Sequence, residues 1–357
     1  MKIFMVGFSS DKGGVESYIS NLSKCLDSTE YEIIYALPEM KIGDKKWVAP
    51  SNRHNYLKYY LFWKKFYKEN LFDVIYYNTC DIVSIDQLKF AKAANIPVRI
   101  IHSHNTDVQF KKKFFHKIME KKHKKNITKY ATNLLACSDT AGNWMFPYDD
   151  YQIIKNGIDI ERYLYNSNFR TACRKVIKID DEYLIGCVGR LDQQKNPFFS
   201  LNILKELIKL NNNVRLVFIG DGCLRQELEN EIGRLGLYDY CYILGAKNNV
   251  NEWYSAFDCL LMPSLFEGLP FALVEAQASG LPCIVSSAVS KEANLTGLVD
   301  FVSLDDDISI WLNKIIESCN KKRIDTKQQL IDAGYSINNT AKVISNIIED
   351  SLKKLVR

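Results

Sequence analysis

Two doubly wound α/β domains are what this sequence predicts, and three observations carry the expectation. The chain has 357 residues, more than one hydrophobic core usually organises. Runs rich in β-branched and aromatic residues alternate with helix-period segments along most of its length. The alternation then starts afresh at "YLIGCVGRL", past residue 159, which gives two sheets rather than one. With 47% hydrophobic and 25% charged residues, burial can offset the entropy of ordering both.

In chain order, "KIFMVGF" reads as a strand and "SSDKGG" as a loop. "VESYISNLSKCL" follows as a helix, with Val15, Tyr18, Ile19, Leu22, Cys25 and Leu26 at helical spacing. Strands follow at "YEIIYAL", "DVIYYN", "VRIIHSH" and "NLLACS", separated by segments long enough for helices, as a parallel sheet requires. The second half runs "YLIGCVGRL", helix "PFFSLNILKELIKL", strand "VRLVFIGDG", helix "CLRQELENEIGRLGL" and strand "CYILGA". "VNEWYSAF", strand "CLLMPS", helix "PFALVEAQASG" and strand "PCIVSS" continue it. "SINNTAKVISNIIEDSLKKLV" is an amphipathic helix with no strand after it. The expected division is residues 1–158, 159–335 and a tail 336–357 that packs back on the first domain. Open parallel sheets bind ligands at the carboxyl ends of their strands, and the search for chemistry starts there.

Several classes drop out. The ten cysteines are scattered without a CxxC pair, which favours reduced thiols in a cytoplasm. "MKIFMVGF" lacks a signal peptide's cleavage site, and no window reaches the length of a membrane span. Cytoplasmic localisation is the expectation. The net charge of +5 is uneven: residues 1–155 carry +8 and the remainder −3.

The stretch "FEGLPFALVE" sets two carboxylates, Glu267 and Glu275, around a glycine and a proline. Glu267 and Gly268 fall in the loop after strand "CLLMPS". Pro270 suits the first helical position, and Glu275 lies about a turn and a half further on. Free N–H groups at Leu269 and Phe271 then offer an anion site between the two glutamates. Hydroxyls flanking a diphosphate, as in a nucleotide sugar, would suit such a pair. Isolated glutamates at these places would more simply be a loop carboxylate and a solvated helix residue. Their company alters the reading. "GRLDQQKNP" puts Arg190 and Lys195 after the first strand of the same domain, before a helix capped by Asn196 and opened by Pro197. Two cations there can neutralise a diphosphate.

"GRLDQQKNP", "FIGDG", "LGA" and "MPSLFEGLPFALVEAQASGLPCIVSS" together resemble the large Glu-x7-Glu group of retaining glycosyltransferases, glycosyl transferases group 1. These have the GT-B architecture, two Rossmann-like domains facing across a cleft. "DKGGVESYISNL" and "HSHNTD" match in the first domain, and "SSAVSKEANLTGLVDFVSL" is similar to bacterial enzymes of capsule and exopolysaccharide assembly. The resemblance implies that Glu275 holds the ribose hydroxyls and Glu267 sits against the donor sugar. It implies that Arg190 and Lys195 bind the diphosphate and stabilise the charge growing on it as the sugar leaves. Gly13 and Gly14 would let the first-domain loop approach the phosphate closely. His104 in "HSHNTD" is favoured as the histidine that touches the sugar or transferred group. His102, two residues earlier and on the same side of an extended segment, remains the alternative.

A His-x-His pair can also suggest a metal, but no third ligand lies near it in sequence. Asp305, Asp306 and Asp307 more simply load a helix start with negative charge. No metal and no cofactor are expected, because Arg190 and Lys195 supply the countercharge. The implied function is transfer from a nucleotide diphosphate sugar, a UDP-sugar by preference, to a glycan or polyprenyl-diphosphate-linked acceptor. The rivals are a nucleotide-sugar epimerase of the same architecture and a non-catalytic homologue acting as an assembly partner.

Nine lysines stand between Asp107 and Lys129, among them Lys111, Lys112, Lys113, Lys121 and Lys122. Phe110, Phe114 and Ile118 share a stripe at four-residue spacing on a helical projection. An apolar stripe amid lysines suits an anionic membrane surface, and "YLKYYLFWKKFYKEN" adds aromatics and lysines to the same domain. The alternative is that the stripe packs into the domain and the lysines form a solvated face. Nucleic acid is not expected, since no reading motif accompanies the charge.

Overall fold

The computed structural model describes residues 1–7, 14–27, 31–37, 46–48, 55–104, 114–146, 150–267 and 269–356. It divides into one unit of Met1–Ile158 with Gly334–Arg357 and another of Asp159–Ala333. The chain thus re-enters the first unit at Gly334, two residues before the expected start of the tail.

The first unit is built on strands β1 (Lys2–Val6), β2 (Glu32–Leu37), β3 (Lys46–Val48), β4 (Val74–Thr79), β5 (Val98–Ser103), β6 (Asn133–Ala136) and β7 (Gln152–Ile153). All pair in parallel, in the spatial order β3-β2-β1-β4-β5-β6-β7. Ile3, Phe4 and Met5 of β1 are fully buried, as expected of a strand covered on both faces. β3 and β7 were not anticipated: three and two residues are too few to carry an alternation. Helices α1 (Gly14–Asp27), α2 (Tyr56–Glu69), α3 (Asp86–Ala93), α4 (Phe114–Asn126) and α5 (Asp139–Met145) connect the strands. Tyr59, Trp63, Phe66 and Tyr67 of α2 are buried at helical spacing, joining Phe4 and Phe72 in an aromatic core.

In the second unit β8 (Tyr183–Val188), β9 (Val214–Ile219), β10 (Cys241–Ile243), β11 (Cys259–Met262), β12 (Cys283–Ser286) and β13 (Val299–Val302) form a parallel sheet. Their order is β10-β9-β8-β11-β12-β13. Its helices are α6 (Ile160–Tyr163), α7 (Ser167–Val176), α8 (Pro197–Leu210), α9 (Arg225–Arg234), α10 (Val250–Ala256), α11 (Phe271–Ala278), α12 (Ile308–Cys319) and α13 (Lys327–Asp332). Leu204, Leu216, Phe218, Leu261 and Trp311 lie in its core. The last helix, α14 (Ile337–Val356), belongs to the first unit and packs on α1. The Cys25 thiol donates to Asn338 Oδ1 across that contact at 3.3 Å.

In each sheet the chain starts at a central strand, winds outward on one side, and then crosses to the other. The crossing falls between β1 and β4 in the first unit and between β8 and β11 in the second. Such switch points open a crevice at the strands' carboxyl ends. At the second, Gly189 and Gly220 both have positive φ, and a Cβ on Gly220 would lie 1.8 Å from the Gly189 carbonyl oxygen. Only glycine admits this approach, which sets the path of the chain into Arg190.

Candidate functional site

The loops that leave β8 and β11 are stitched together. The Leu265 amide donates to the Gln194 carbonyl at 2.8 Å, and Gln194 Nε2 donates to the Phe266 carbonyl at 3.1 Å. Within the first loop the Lys195 amide donates to Asp192 Oδ1 at 3.1 Å. Lys195 and Glu267 are thereby brought together: Nζ lies 2.5 Å from Oε1, with side chains only 20% and 10% exposed. A charge-assisted bond of this kind at the sheet's carboxyl edge fixes the ammonium where an anion would sit. Arg190 stands apart, its side chain 68% exposed and its guanidinium 3.2 Å from Asp192 Oδ2. Both cations line a recess with Gly189, Pro263 and Ser264. The fully buried Ser264 hydroxyl there has no hydrogen-bond partner. Buried hydroxyls are rarely left so, and this one marks a place for a water or a ligand oxygen.

Two local expectations shift by small amounts. Pro270 is the N-cap of α11 and not its first residue, because its ψ of 127° is extended. Leu269 therefore precedes the helix, and Phe271 begins it. Asn196 occupies the N-cap of α8 with Pro197 behind it, but its side chain makes no cap bond. Its backbone is left-handed, with φ and ψ of 53°. Asp307 does cap α12, accepting from the Ser309 amide at 2.9 Å, and Asp306 accepts from the Ser303 amide. Gly14 opens α1, while Gly13, Gly268, Phe110, Lys111, Lys112 and Lys113 lie outside the described residues.

Glu275 is held by partners that the motif did not reveal. Tyr163 of α6 donates to its Oε1 and Tyr254 of α10 to its Oε2, each at 2.8 Å. Burial pushes the Glu275 carboxyl up, while the two hydroxyls and the Arg162 guanidinium pull it back. Tyr254 is itself fully buried, and its backbone carbonyl accepts from Arg323 Nη2 at 2.7 Å.

In the first unit both histidines of "HSHNTD" lie at the end of β5, their ring centroids 4.1 Å apart. They share a face, as alternation requires, but not an environment. His102 is fully buried: Nδ1 is 2.8 Å from the Tyr76 hydroxyl, and Nε2 has no partner. His104 is part-buried between two amides, with Nε2 2.9 Å from Asn78 Oδ1 and Nδ1 2.8 Å from the Asn156 side chain. Asn78 Nδ2 already donates to the Val6 carbonyl at 3.2 Å, so its oxygen faces the ring. Asn156 likewise turns its Oδ1 toward Nδ1, and that hydrogen bond opposes the effect of burial on the imidazole. Burial lowers His104 to about 4 and His102 well below the usual imidazole range.

Both folded-state values thus lie beneath the unfolded one, and the linkage has a definite sign. Below about pH 6.5 the unfolded chain takes up protons that the folded protein refuses. Stability is therefore expected to fall as pH drops from about 6.5 toward 4, less steeply in a His104→Gln variant. Urea unfolding at pH 7 and pH 5 measures this, and equal slopes in the two proteins would sink it.

Tyr163, Tyr254, Asn78, Asn156 and Ser264 were not legible as site residues, since each lies in an ordinary strand, loop or short helix and gains its role by contact. Among the described residues no cluster of three His, Cys, Asp or Glu could hold a metal ion. No described helix is long and apolar enough to cross a membrane.

Residues 169–295 match the family model of glycosyl transferases group 1. The putative glycosyltransferase EpsF of Bacillus subtilis (strain 168) is 30% identical over 96% of this chain and 95% of its own length. A UDP-Gal:alpha-D-GlcNAc-diphosphoundecaprenol alpha-1,3-galactosyltransferase of Escherichia coli is 31% identical, over 48% of this chain and 45% of its own. Among solved structures, Anabaena Alr3699/HepE in complex with UDP and glucose matches with a TM-score of 0.72. The match covers 100% of this chain and 98% of that one at 16% identity, a likeness that shows the fold, GT-B.

Proposed function

The chain belongs to the family of glycosyl transferases group 1, and on that premise we propose that it is a retaining, metal-independent transferase using a nucleotide diphosphate sugar. UDP-sugar is the favoured donor, and the acceptor is a glycan or polyprenyl-diphosphate-linked glycan of surface polysaccharide assembly. The observation that carries this reading is the Lys195–Glu267 pair, held beside Arg190 at the switch point of the second sheet. The Escherichia coli relative's name, with a UDP-linked donor and a diphosphoundecaprenol-linked acceptor, supports both halves of it. Epimerisation, the rival of the same architecture, gains no support from these relatives.

In this reading Arg190 and Lys195 receive the diphosphate, and Glu275 takes the ribose hydroxyls. Glu267, anchored by Lys195, borders the sugar, and His104 is assigned to the sugar from the first unit. The bond from the anomeric carbon to phosphate oxygen breaks as the acceptor oxygen attacks on the same face. The leaving phosphate takes the acceptor's proton, so no carboxylate acts as a nucleophile. The cations stabilise the departing charge, and the engagement of Asp307 as a helix cap and of Asp306 with the Ser303 amide supports a site that needs no metal.

The test is a panel of nucleotide sugars offered to purified protein with lipid-linked acceptors, with nucleotide release and product stereochemistry as readouts. Release of UDP with retained configuration, unchanged by chelator, is expected. Activity lost to chelator and restored by magnesium or manganese would overturn the metal-free part; inverted product would overturn retention.

Attachment to the inner face of the cytoplasmic membrane belongs to the same reading. On α4, Phe114 is 80% exposed, Phe115 65% and Ile118 48%, beside the exposed Lys121 and Lys122. These residues do not pack into the domain, contrary to the alternative weighed from the sequence. On α2, Tyr56, Leu57 and Leu61 are likewise exposed among lysines. Apolar side chains among cations suit an anionic bilayer surface. Sedimentation with vesicles is expected to rise with anionic lipid and fall with salt. It should weaken when Lys111, Lys112, Lys113, Lys121 and Lys122 become Gln. Indifference to anionic vesicles at low salt would end this part of the proposal.

A further inference from the structure

A carboxylate beside a ribose has two oxygens, each with two acceptor directions. Glu275 arrives with one direction on each oxygen already taken, by Tyr163 on Oε1 and by Tyr254 on Oε2. The two that remain belong to adjacent oxygens, the spacing that two hydroxyls on neighbouring carbons require. The donors are themselves fixed. Tyr163 is 9% exposed, and its ring lies 6.0 Å from that of Tyr254. Tyr254 is fully buried, meets Phe257 edge-on at 6.3 Å, and has its carbonyl bound by Arg323. α6, α10 and α11 pack pairwise, so the three side chains sit on one small framework.

We propose that Tyr163 and Tyr254 are positioning residues for the donor nucleoside, holding the Glu275 carboxylate at the one rotation that presents a free acceptor on each oxygen to vicinal ribose hydroxyls. The proposal rests on the reading that Glu275 binds the ribose. The tyrosines touch no reacting atom and act through Glu275 alone.

The groups around the carboxylate also give the clamp a pH signature. From α6 it faces Tyr163 and the Arg162 guanidinium, and from α10 it faces Tyr254, which in turn senses the Cys283 thiol of β12. Burial pushes the carboxyl up, and the tyrosine hydroxyls oppose that push. Removing either hydroxyl raises it further, so protonation, and loss of one acceptor, begins at a higher pH.

Calorimetric titration of the full chain with UDP and with 2′,3′-dideoxy-UDP separates the possibilities. Wild type should prefer UDP by about a hundredfold, because the dideoxy nucleotide lacks both hydroxyls and each hydrogen bond to a charged group is worth about tenfold. Tyr254→Phe and Tyr163→Phe should each lose about five- to tenfold in UDP affinity at pH 7 and leave dideoxy-UDP affinity unchanged. In both variants the loss should deepen as pH falls, setting in at a higher pH than any loss in wild type. The two variants lie on different helices, so a folding defect in one leaves the other to decide. If wild type discriminates and both variants keep that discrimination with a level pH profile, the clamp is overturned while the ribose reading stands. If wild type treats the two nucleotides alike and Glu275→Gln binds UDP normally, the ribose reading falls and this proposal with it.

Discussion

Replacing Lys195 by alanine is expected to lower turnover by about two to three orders of magnitude, the effect typical of removing one preorganised donor from a developing oxyanion. The side chain is 20% exposed, and the bond from its ammonium to Glu267 at 2.5 Å leaves it little freedom to be elsewhere. Glu267→Ala should also reduce turnover, because it removes both the group bordering the sugar and the anchor of Lys195. The two losses are therefore expected to be less than additive in the double variant, since each breaks the same pair. Arg190→Ala should cost turnover as well, through an exposed guanidinium that would turn from Asp192 to a diphosphate. Single-turnover rates at saturating donor decide the matter. A Lys195→Ala enzyme with more than half of wild-type turnover would remove this residue from the leaving-group site.

Arg323→Met should destabilise the protein by about 3 kcal/mol, the second large effect. Its Nη1 donates to the Ser279 carbonyl and hydroxyl at 2.7 and 2.8 Å. Its Nη2 donates to the carbonyls of Tyr254 and Phe257 at 2.7 and 2.5 Å. Ser279 and Phe257 are the C-caps of α11 and α10, so one guanidinium serves the negative ends of two helices. Burial lowers its pKa to about 10, a sign of how far it is removed from water. Methionine fills the space but takes the guanidinium from three carbonyls, leaving that of Phe257 only Arg170 Nη1 at 3.4 Å. A fall of about 6–12 °C in the melting of the second unit is expected. Because the Tyr254 carbonyl is among the three, donor affinity should drop too at temperatures where the variant remains folded. Melting within 2 °C of wild type would show that water replaces the guanidinium at no cost.

Much of this architecture was legible because parallel strands buried on both faces read as unbroken apolar runs. "KIFMV" and "CLLM" need no tertiary context to be recognised. The edge strands β3, β7 and β13 escaped for the opposite reason: two to four residues at a sheet's rim carry no periodicity. Glu267, Arg190 and Lys195 were legible as candidates because loops at a sheet's carboxyl edge have few reasons to hold charge and glycine together. The tyrosines around Glu275 were not. Tyr163 and Glu275 are 112 residues apart, and nothing local to a four-residue helix announces such a partner. Pro270 was misplaced by one position because proline is accepted both at an N-cap and just inside it, and only ψ distinguishes the two.

The first unit is assembled from two lengths of chain with the whole of the second unit between them. α1 and its packing partner α14 are separated by residues 28–336. At a synthesis rate of roughly 5–20 residues per second that interval lasts about 15–60 s. The second unit is contiguous and closes its own core meanwhile, whereas α1 presents to the cell the flank that α14 will cover. The nascent chain is thus expected to leave that flank uncovered over a defined window, and late arrest of translation would release a product with one finished half and one adhesive one.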